Sequence, residues 1–350
     1  MILFDHTFVH ERQIVSLTRI LILAGAGFVL SMVLTPIYTN LAYRRKWWKQ
    51  PNTDAITGEH APIYHKLHAA KHKRNIPTAA GLVIIITVAI VTLLLNLTRS
   101  QTYLPLFVLV GAGAVGLLDD YFNVRNAGSG IAGLRWKVKF ALILAVALLG
   151  ALYFYYKLGY HLIHIPAVGN FSIGWGYIPL IVLVVISTAN AVNITDGLDG
   201  LSGGLLTTAY GAYAVIAYFQ HSYGIAGFCA TIVGVMLTYT WFNIYPARFF
   251  MGDSGAFALG TTLGVIAVLT NAVVVLPIIG GVFVLEAGSS LLQIISKKVF
   301  KRKIFLSAPI HHHFEAIGWP ETKVTMRLWV IGQVLGVIGL MLGLLGNHVL

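Results

Sequence analysis

Asn190-Ala-Val-Asn-Ile-Thr-Asp-Gly-Leu-Asp-Gly-Leu-Ser-Gly-Gly204 lies between two apolar runs, Ile178–Ala189 and Leu205–Phe219. In a soluble chain, two Asn, two Asp and four Gly in this space read as a loop. Here the loop sits at the end of membrane-length segments, and that context changes its meaning. Asp196 and Asp199 are three apart, so on one helical turn both carboxylates face the same way. The glycines let backbone approach a ligand closely. Two readings are open at this point. One is a polar hairpin joining two spans; the other is a site at a membrane boundary for a metal and a phosphorylated ligand.

The chain of 350 residues is 57% hydrophobic and only 10% charged, with a mean hydropathy of +0.79. A soluble protein carries about 25% charged residues, so this is a polytopic membrane protein. Ten apolar runs recur: Ile14–Ile37, Ala79–Leu97, Leu104–Leu118, Val138–Tyr155, Ile178–Val192, Leu205–Phe219, Ile225–Phe242, Ala256–Thr270, Val273–Ile295 and Leu328–Leu345. Some are short against the ~20 residues that span a bilayer. They predict an all-α, single-domain protein over residues 1–350 with about ten transmembrane helices. Asp5, His6 and Glu11 precede the first run without a small-residue cleavage site, which reads as a retained span. The single cysteine, Cys229, excludes an internal disulfide framework and a cysteine-based zinc site. The net charge of +12 fits topology and anionic ligands or lipids; no nucleic-acid partner is expected.

Charge alternates from loop to loop. The first loop carries Arg44, Arg45, Lys46, Lys49, Lys66, Lys71, Lys73 and Arg74; the third Arg125, Arg135 and Lys137; the seventh Arg248; the ninth Lys297, Lys298, Lys301, Arg302, Lys303 and Lys323. The even loops hold only Arg99 and Lys157. By the positive-inside rule the odd loops are cytoplasmic and both termini lie outside. Asp119 and Asp120 fall in the third loop, Asp196 and Asp199 in the fifth, Asp253 in the seventh and His311-His312-His313 in the ninth. Parity alone therefore predicts an active-site cleft on the cytoplasmic face.

Each polar motif has a bland reading beside its functional one. Asp119-Asp120-Tyr121 closes a span, where adjacent carboxylates face a negative helix terminus and repel each other. Either they form a solvated cap, or a divalent cation or Lys137 and Lys139 compensate them. Asp253, in Gly252-Asp-Ser-Gly255, is an N-cap or a site acid, and the aromatics of Trp241–Phe250 suit a nucleotide base. Three consecutive histidines point in different directions and lack H-x₃₋₅-H spacing, which favours phosphate or sugar contacts over zinc. Their internal position excludes an expression tag. Lys71, Lys73 and Arg74 read first as a topology signal or anionic-lipid contact. Glu286 lies inside the ninth run, where an acid faces a polar interior or a partner, and Gly280, Gly281 and Gly288 mark a place to bend.

Taken in order, Pro77-Thr78, Asp119-Asp-Tyr121, Asn190–Gly200, Phe249-Phe-Met-Gly-Asp-Ser-Gly255 and Ala308-Pro-Ile-His-His-His-Phe-Glu315 resemble the phospho-N-acetylmuramoyl-pentapeptide transferases. These form a branch of the polyprenyl-phosphate N-acetylhexosamine-1-phosphate transferase superfamily. The likeness runs from about residue 65 to the last span, and the histidine run points to the muramoyl-pentapeptide branch. It implies a bacterial cytoplasmic-membrane enzyme of peptidoglycan synthesis that converts undecaprenyl phosphate and UDP-N-acetylmuramoyl-pentapeptide to lipid I and UMP with Mg²⁺. A homodimer is compatible with it. By position, Asp253 is the Mg²⁺ ligand, and Asp119, Asp120 and His311 act near the reacting phosphates. Asn193, Asp196, Asn243 and Phe250 match the uridine pocket, with Phe250 stacking, and Asn190 matches a further substrate contact. Lys73, Lys139, His312 and His313 match further substrate contacts, and Asp199 completes its motif without an evident role. A phosphate monoester has its second pKa near ~6, so at neutral pH a base at Asp119 is helpful at most and its role as one is open.

Two departures stand out. The family usually follows Pro-Thr with Met-Gly-Gly, and this chain has Ala79-Ala80-Gly81. The family also usually has Lys two residues after the Asp-Asp-Tyr tyrosine, where Asn123 stands, so Arg125 or Lys139 is left to supply the charge. A sister enzyme that transfers N-acetylglucosamine-1-phosphate and a transporter are the alternative readings. A transporter places its charged site near the bilayer midplane on broken helices, whereas these acids sit at helix ends.

Overall fold

The computed structural model describes residues 2–48, 75–125, 133–134 and 136–345. Each of the ten apolar runs falls on helix. The main elements are α1 (Ile2–Arg44), α2 (Gly81–Val91), α3 (Tyr103–Arg125), α4 (Trp136–Leu152), α5 (Tyr177–Thr195), α6 (Leu201–Phe219), α7 (Tyr223–Asn243) and α8 (Gly252–Leu269). They continue with a short α9 (Leu276–Ile279), α10 (Gly281–Phe300), α11 (Ile310–Ala316) and α12 (Glu321–Leu344).

Seven described helical segments are long and apolar enough to cross a membrane. The other three runs fall short for visible reasons. Helix α2 with its following π-helical turn ends at Asn96, the polar Gly203-Gly-Leu-Leu-Thr-Thr208 stretch dilutes α6, and the run from Val273 breaks at Gly280. That break lies among the glycines expected to permit a bend. The all-α expectation is corrected between α4 and α5. There Leu162–Ile165 (β1) and Gly169–Ser172 (β2) form an antiparallel hairpin pairing Leu162 with Ser172 and Ile165 with Gly169. Pro166 and Ala167, the latter at φ 61°, make the turn between them.

Helix α8 is the centre of the bundle, packed by α3, α5 and α2, and nearly all of its residues are buried. In a bilayer, helices associate through close packing rather than water exclusion, so small residues belong at the contacts. A Cβ at Gly260 would lie 2.7 Å from the Thr188 carbonyl of α5, and such overpacking costs about 1–3 kcal/mol. Gly116 of α3 and Gly81 of α2 meet the first turn of α8 so closely that neither admits a side chain. These two contacts fix where Asp253 stands. Leu291, Leu292, Ile295, Val299 and Phe300 leave the far part of α10 an exposed apolar surface, suited to lipid.

Successive spans alternate in direction. The C-terminal ends of α1, α3, α5 and α7 thus share one end of the bundle with the N-terminal ends of α4, α6, α8 and α12. The hairpin lies at the other end, where His164 Nε2 is 3.5 Å from the Leu345 carbonyl.

Candidate active site

Asp119 and Asp120 do not close a span, because α3 continues to Arg125. Both carboxylates are buried, at 1% exposure, so each needs compensating partners. Asp120 turns away from its own negative helix end and toward the positive N-terminus of α8. Its Oδ1 accepts from the Asp253 amide at 3.1 Å and its Oδ2 from the Ser254 amide at 3.0 Å. This satisfies two orphan donors of α8 and favours the carboxylate through the helix dipole. Gly252 enters that turn at φ +75°, and a Cβ there would strike Asp120 Oδ2. Met251, not Asp253, is the N-cap residue, which leaves the Asp253 side chain for the site.

Lys139 of α4 completes the cluster. Its Nζ donates to Asp119 Oδ2 at 2.9 Å and to Asp253 Oδ2 at 2.5 Å. Two carboxylates from different helices thus converge on one cation-sized point. Asp119 also accepts from the Asn123 amide at 2.9 Å and from the Leu134 backbone amide at 2.8 Å. The second departure from the family resolves here: Asn123 supplies a hydrogen bond and Lys139 the charge. Arg125 lies over the Tyr121 ring at 5.0 Å instead. The other departure is equally local. Ala80 adopts φ −63°, ψ −13°, open to any residue, whereas Gly81 is the position whose contact excludes a Cβ.

Pro77–Gly81 runs beside Phe250 and Met251. Phe250 N donates to Pro77 O at 2.8 Å, Ala80 N to Phe250 O at 3.1 Å and Gly81 N to Met251 O at 2.9 Å. Two separated motifs are therefore one backbone-paired unit. The adjacent Phe249 is the packed ring, edge-on to Tyr38 at 5.7 Å and tilted against Phe242 at 5.9 Å. Phe250 is half-buried.

The Asn190–Gly204 stretch divides into helix end, turn and helix start. Asn190 is exposed on α5 and donates back to Ile186 O at 2.8 Å; Asn193 is half-buried on the same helix. Asp196 Oδ1 accepts from the Ser202 hydroxyl at 2.5 Å, bridging the turn. Asp199 is a stitch: its Oδ2 accepts from Ala247 N at 2.9 Å, and its own amide donates to Glu321 Oε1 at 2.7 Å. Asn243 Oδ1 accepts from Gly200 N at 2.8 Å while its Nδ2 donates to Phe249 O at 2.8 Å. Asn243, 1% exposed, therefore holds the Asp-x-x-Asp turn against the segment leading into α8.

Helix α11 presents the three histidines in three directions. His311 Nδ1 is 2.7 Å from Glu286 Oε2, His312 Nδ1 is 2.7 Å from Glu315 Oε2, and His313 Nδ1 accepts from Leu306 N at 3.3 Å. No common ion is shared, and among the described residues no three His, Cys, Asp or Glu converge as a metal site. The His311 ring reaches the Asp-x-x-Asp turn, since a Cβ at Gly197 would lie 2.5 Å from its Nε2. Lys73 lies outside the described residues. The remaining motif residues form one buried, connected cluster at one end of the bundle, from Asp119 through Asp253, Asn243 and Asp199 to His311. Sequence reading missed Glu321, Ser202, the Leu134 amide and Tyr239, whose hydroxyl accepts from the Met251 amide at 3.1 Å. Glu321 carried a weak signal, an acid directly after Pro320 at a helix start. A backbone amide carries none.

Residues 102–271 match the family described as Glycosyl transferase family 4. A curated relative from Chloroflexus aurantiacus, named phospho-N-acetylmuramoyl-pentapeptide-transferase, is 39% identical over 343 residues, covering 94% of this chain and 90% of its own. Relatives of the same name from Geobacillus sp. and Bacillus subtilis are 37% and 38% identical, each covering 90% of this chain and 94% of their own. With the site geometry, this similarity over nearly the whole length places the chain, a multi-pass membrane transferase, in the phospho-N-acetylmuramoyl-pentapeptide-transferase family.

Proposed function

We propose that this protein transfers phospho-N-acetylmuramoyl-pentapeptide from its UDP donor to undecaprenyl phosphate, giving lipid I and UMP at the cytoplasmic face of the bacterial inner membrane. The observation that carries the reading is the convergence of Asp119 and Asp253 on one point, next to the turn held by Asp196, Asp199 and Asn243. Two anionic reactants, one lipid and one soluble, need a charge-neutralising cleft at helix ends beside the bilayer. Lys139 provides fixed positive charge there. The attacking lipid phosphate is a monoester with a second pKa of about 6, so it arrives largely as the dianion and needs no protein base.

Mg²⁺ is the cofactor we assign. Magnesium takes one or two carboxylates, keeping waters and substrate phosphates as its other ligands. Asp253 and Asp119, hard oxygen donors held side by side across the Lys139 ammonium, fit that set, with Asp253 the principal ligand. A bound ion would supply positive charge to the donor's pyrophosphate. Purified protein with undecaprenyl phosphate, Mg²⁺ and UDP-N-acetylmuramoyl-pentapeptide is expected to release UMP. No release, or release independent of the lipid phosphate, would refute the transfer reaction.

Ten spans and external termini follow from the same reading. The site end of the bundle carries Arg44, Arg45, Lys46, Arg248, Lys297, Lys298, Lys301, Arg302 and Lys303, while the hairpin end is poor in charge. Cys229 is fully buried, so the native protein should resist a membrane-impermeant maleimide in intact cells. A cysteine replacing exposed Lys303 should react only after the membrane is opened, and one replacing exposed Trp175 should react from outside. The reverse labelling pattern would invert the topology.

A further inference from the structure

Glu286 is fully buried inside α10, a costly place for an acid unless it has work or a partner. Its partner is His311, 25 positions away and equally buried, with Nδ1 2.7 Å from Glu286 Oε2. The same oxygen is 3.5 Å from the His311 backbone nitrogen. One residue earlier, Ile310 N donates to Ser289 Oγ at 2.9 Å, and that hydroxyl donates to the Glu286 carbonyl at 2.8 Å. One turn of α10 therefore holds both the backbone and the ring at the start of α11. The other ring nitrogen of His311, Nε2, is buried without a hydrogen-bond partner among the described residues. It faces Gly197, where a Cβ would come within 2.5 Å, in the turn between Asp196 and Asp199. A buried imidazole nitrogen normally has a partner, and Gly197, which this one faces, has no side chain to fill the space.

We propose that Glu286 is a positioning residue for His311: it accepts the Nδ1 proton, fixes the ring's tautomer and plane, and leaves Nε2 as the nitrogen presented to the donor substrate. The proposal rests on the transferase reading and deepens it. A carboxylate behind a histidine sets which nitrogen carries the proton and holds the ring in one orientation, as in metal sites and hydrolytic triads. Without it, α11 still packs but its ring is free to turn, and a small misplacement of a transition-state contact is felt mainly in turnover. His312 has its own acid, Glu315, on the same helix, so it does not compete for Glu286.

The test pairs kinetics with a tautomer measurement. Glu286→Ala is expected to lower kcat about 10- to 100-fold, the usual effect of removing such a supporting group, with the donor KM changed less than threefold. Adding it to His311→Ala should cost nothing further, because its effect runs through that ring. Nitrogen-15 histidine spectra of the unliganded protein, assigned by the resonance lost in His311→Ala, should report a protonated Nδ1. In Glu286→Ala the proton should move to Nε2. If Glu286→Ala does not fold, Glu286→Met keeps the side-chain length without an oxygen acceptor and carries both measurements. Independent, multiplying losses in the double variant would overturn the proposal, as would an unprotonated Nδ1 in the native protein. The spectra need no turnover, so a failed transferase assay and a failed proposal are distinguishable.

Discussion

Asp253→Asn is expected to lose turnover about 10³-fold while the protein remains folded and extractable. The size follows from charge and from the burial of Asp253. Removing one preorganised electrostatic group from a catalytic site costs about 10²–10³ in rate, and this one also carries the charge that holds the assigned metal. Folding should survive for a separate reason. The tie between α3 and α8 runs through the Asp253 backbone amide, which donates to Asp120 at 3.1 Å, and asparagine keeps that amide. Its side-chain oxygen still accepts from Lys139. The measurement is UMP release across a Mg²⁺ titration, with monodispersity in detergent as the folding control. Wild-type turnover at unchanged Mg²⁺ dependence would remove Asp253 from the metal site. Asp120→Ala makes the contrast: it should act through stability, because both of its oxygens serve α8 amides.

That contrast marks how far the sequence could be read. The membrane helices as a class and the shared end of the motifs were legible, because apolar runs and loop parity are properties of the one-dimensional chain, though seven rather than ten described segments reach span length. Asp119, Asp253 and Lys139 were all nameable in advance, and the structure brings them within hydrogen-bond distance. What spacing could not separate was one acid's task from another's. Asp119 and Asp120 are neighbours in sequence, yet successive helical positions point about 100° apart. One therefore faces Lys139 and the other a helix terminus. Asn243 and Asp199 carry motif identity while spending their hydrogen bonds on backbone. The hairpin was missed because a search for long apolar runs passes over Leu162–Ile165, a strand of only 4 residues. Glu286 was singled out as needing a partner, but the partner lay 25 residues on and only packing could name it.

Donor choice separates this family from a sister enzyme that takes N-acetylglucosamine, and the aspartate cluster cannot decide it because both donors carry uridine and pyrophosphate. The ninth loop and the start of α12 can. Trp319 stacks on Phe314 at 4.9 Å and 17°, and two exposed cations lie over it, Lys323 Nζ at 4.7 Å and Arg327 Cζ at 4.5 Å. This platform is tied to the cleft, since Glu321 of the same helix turn accepts from the Asp199 amide at 2.7 Å. A lactyl-peptide donor brings carboxylates and peptide amides that such cations and the neighbouring histidines match; N-acetylglucosamine shares only the acetamido group and brings no carboxylate and no peptide. Sites built from polar groups reject a ligand lacking the matching group by up to about 10⁴-fold, far beyond what apolar pockets achieve. The cations here are exposed and partly screened, so we expect about 10³-fold. UMP release with undecaprenyl phosphate and Mg²⁺ should favour UDP-N-acetylmuramoyl-pentapeptide over UDP-N-acetylglucosamine by that factor in kcat/KM. Replacing Lys323 and Arg327 together by Ala should narrow the gap by slowing the peptide donor alone. Equal turnover of the two donors would sink the specific substrate and leave the superfamily's phosphoglycosyl transfer standing without it.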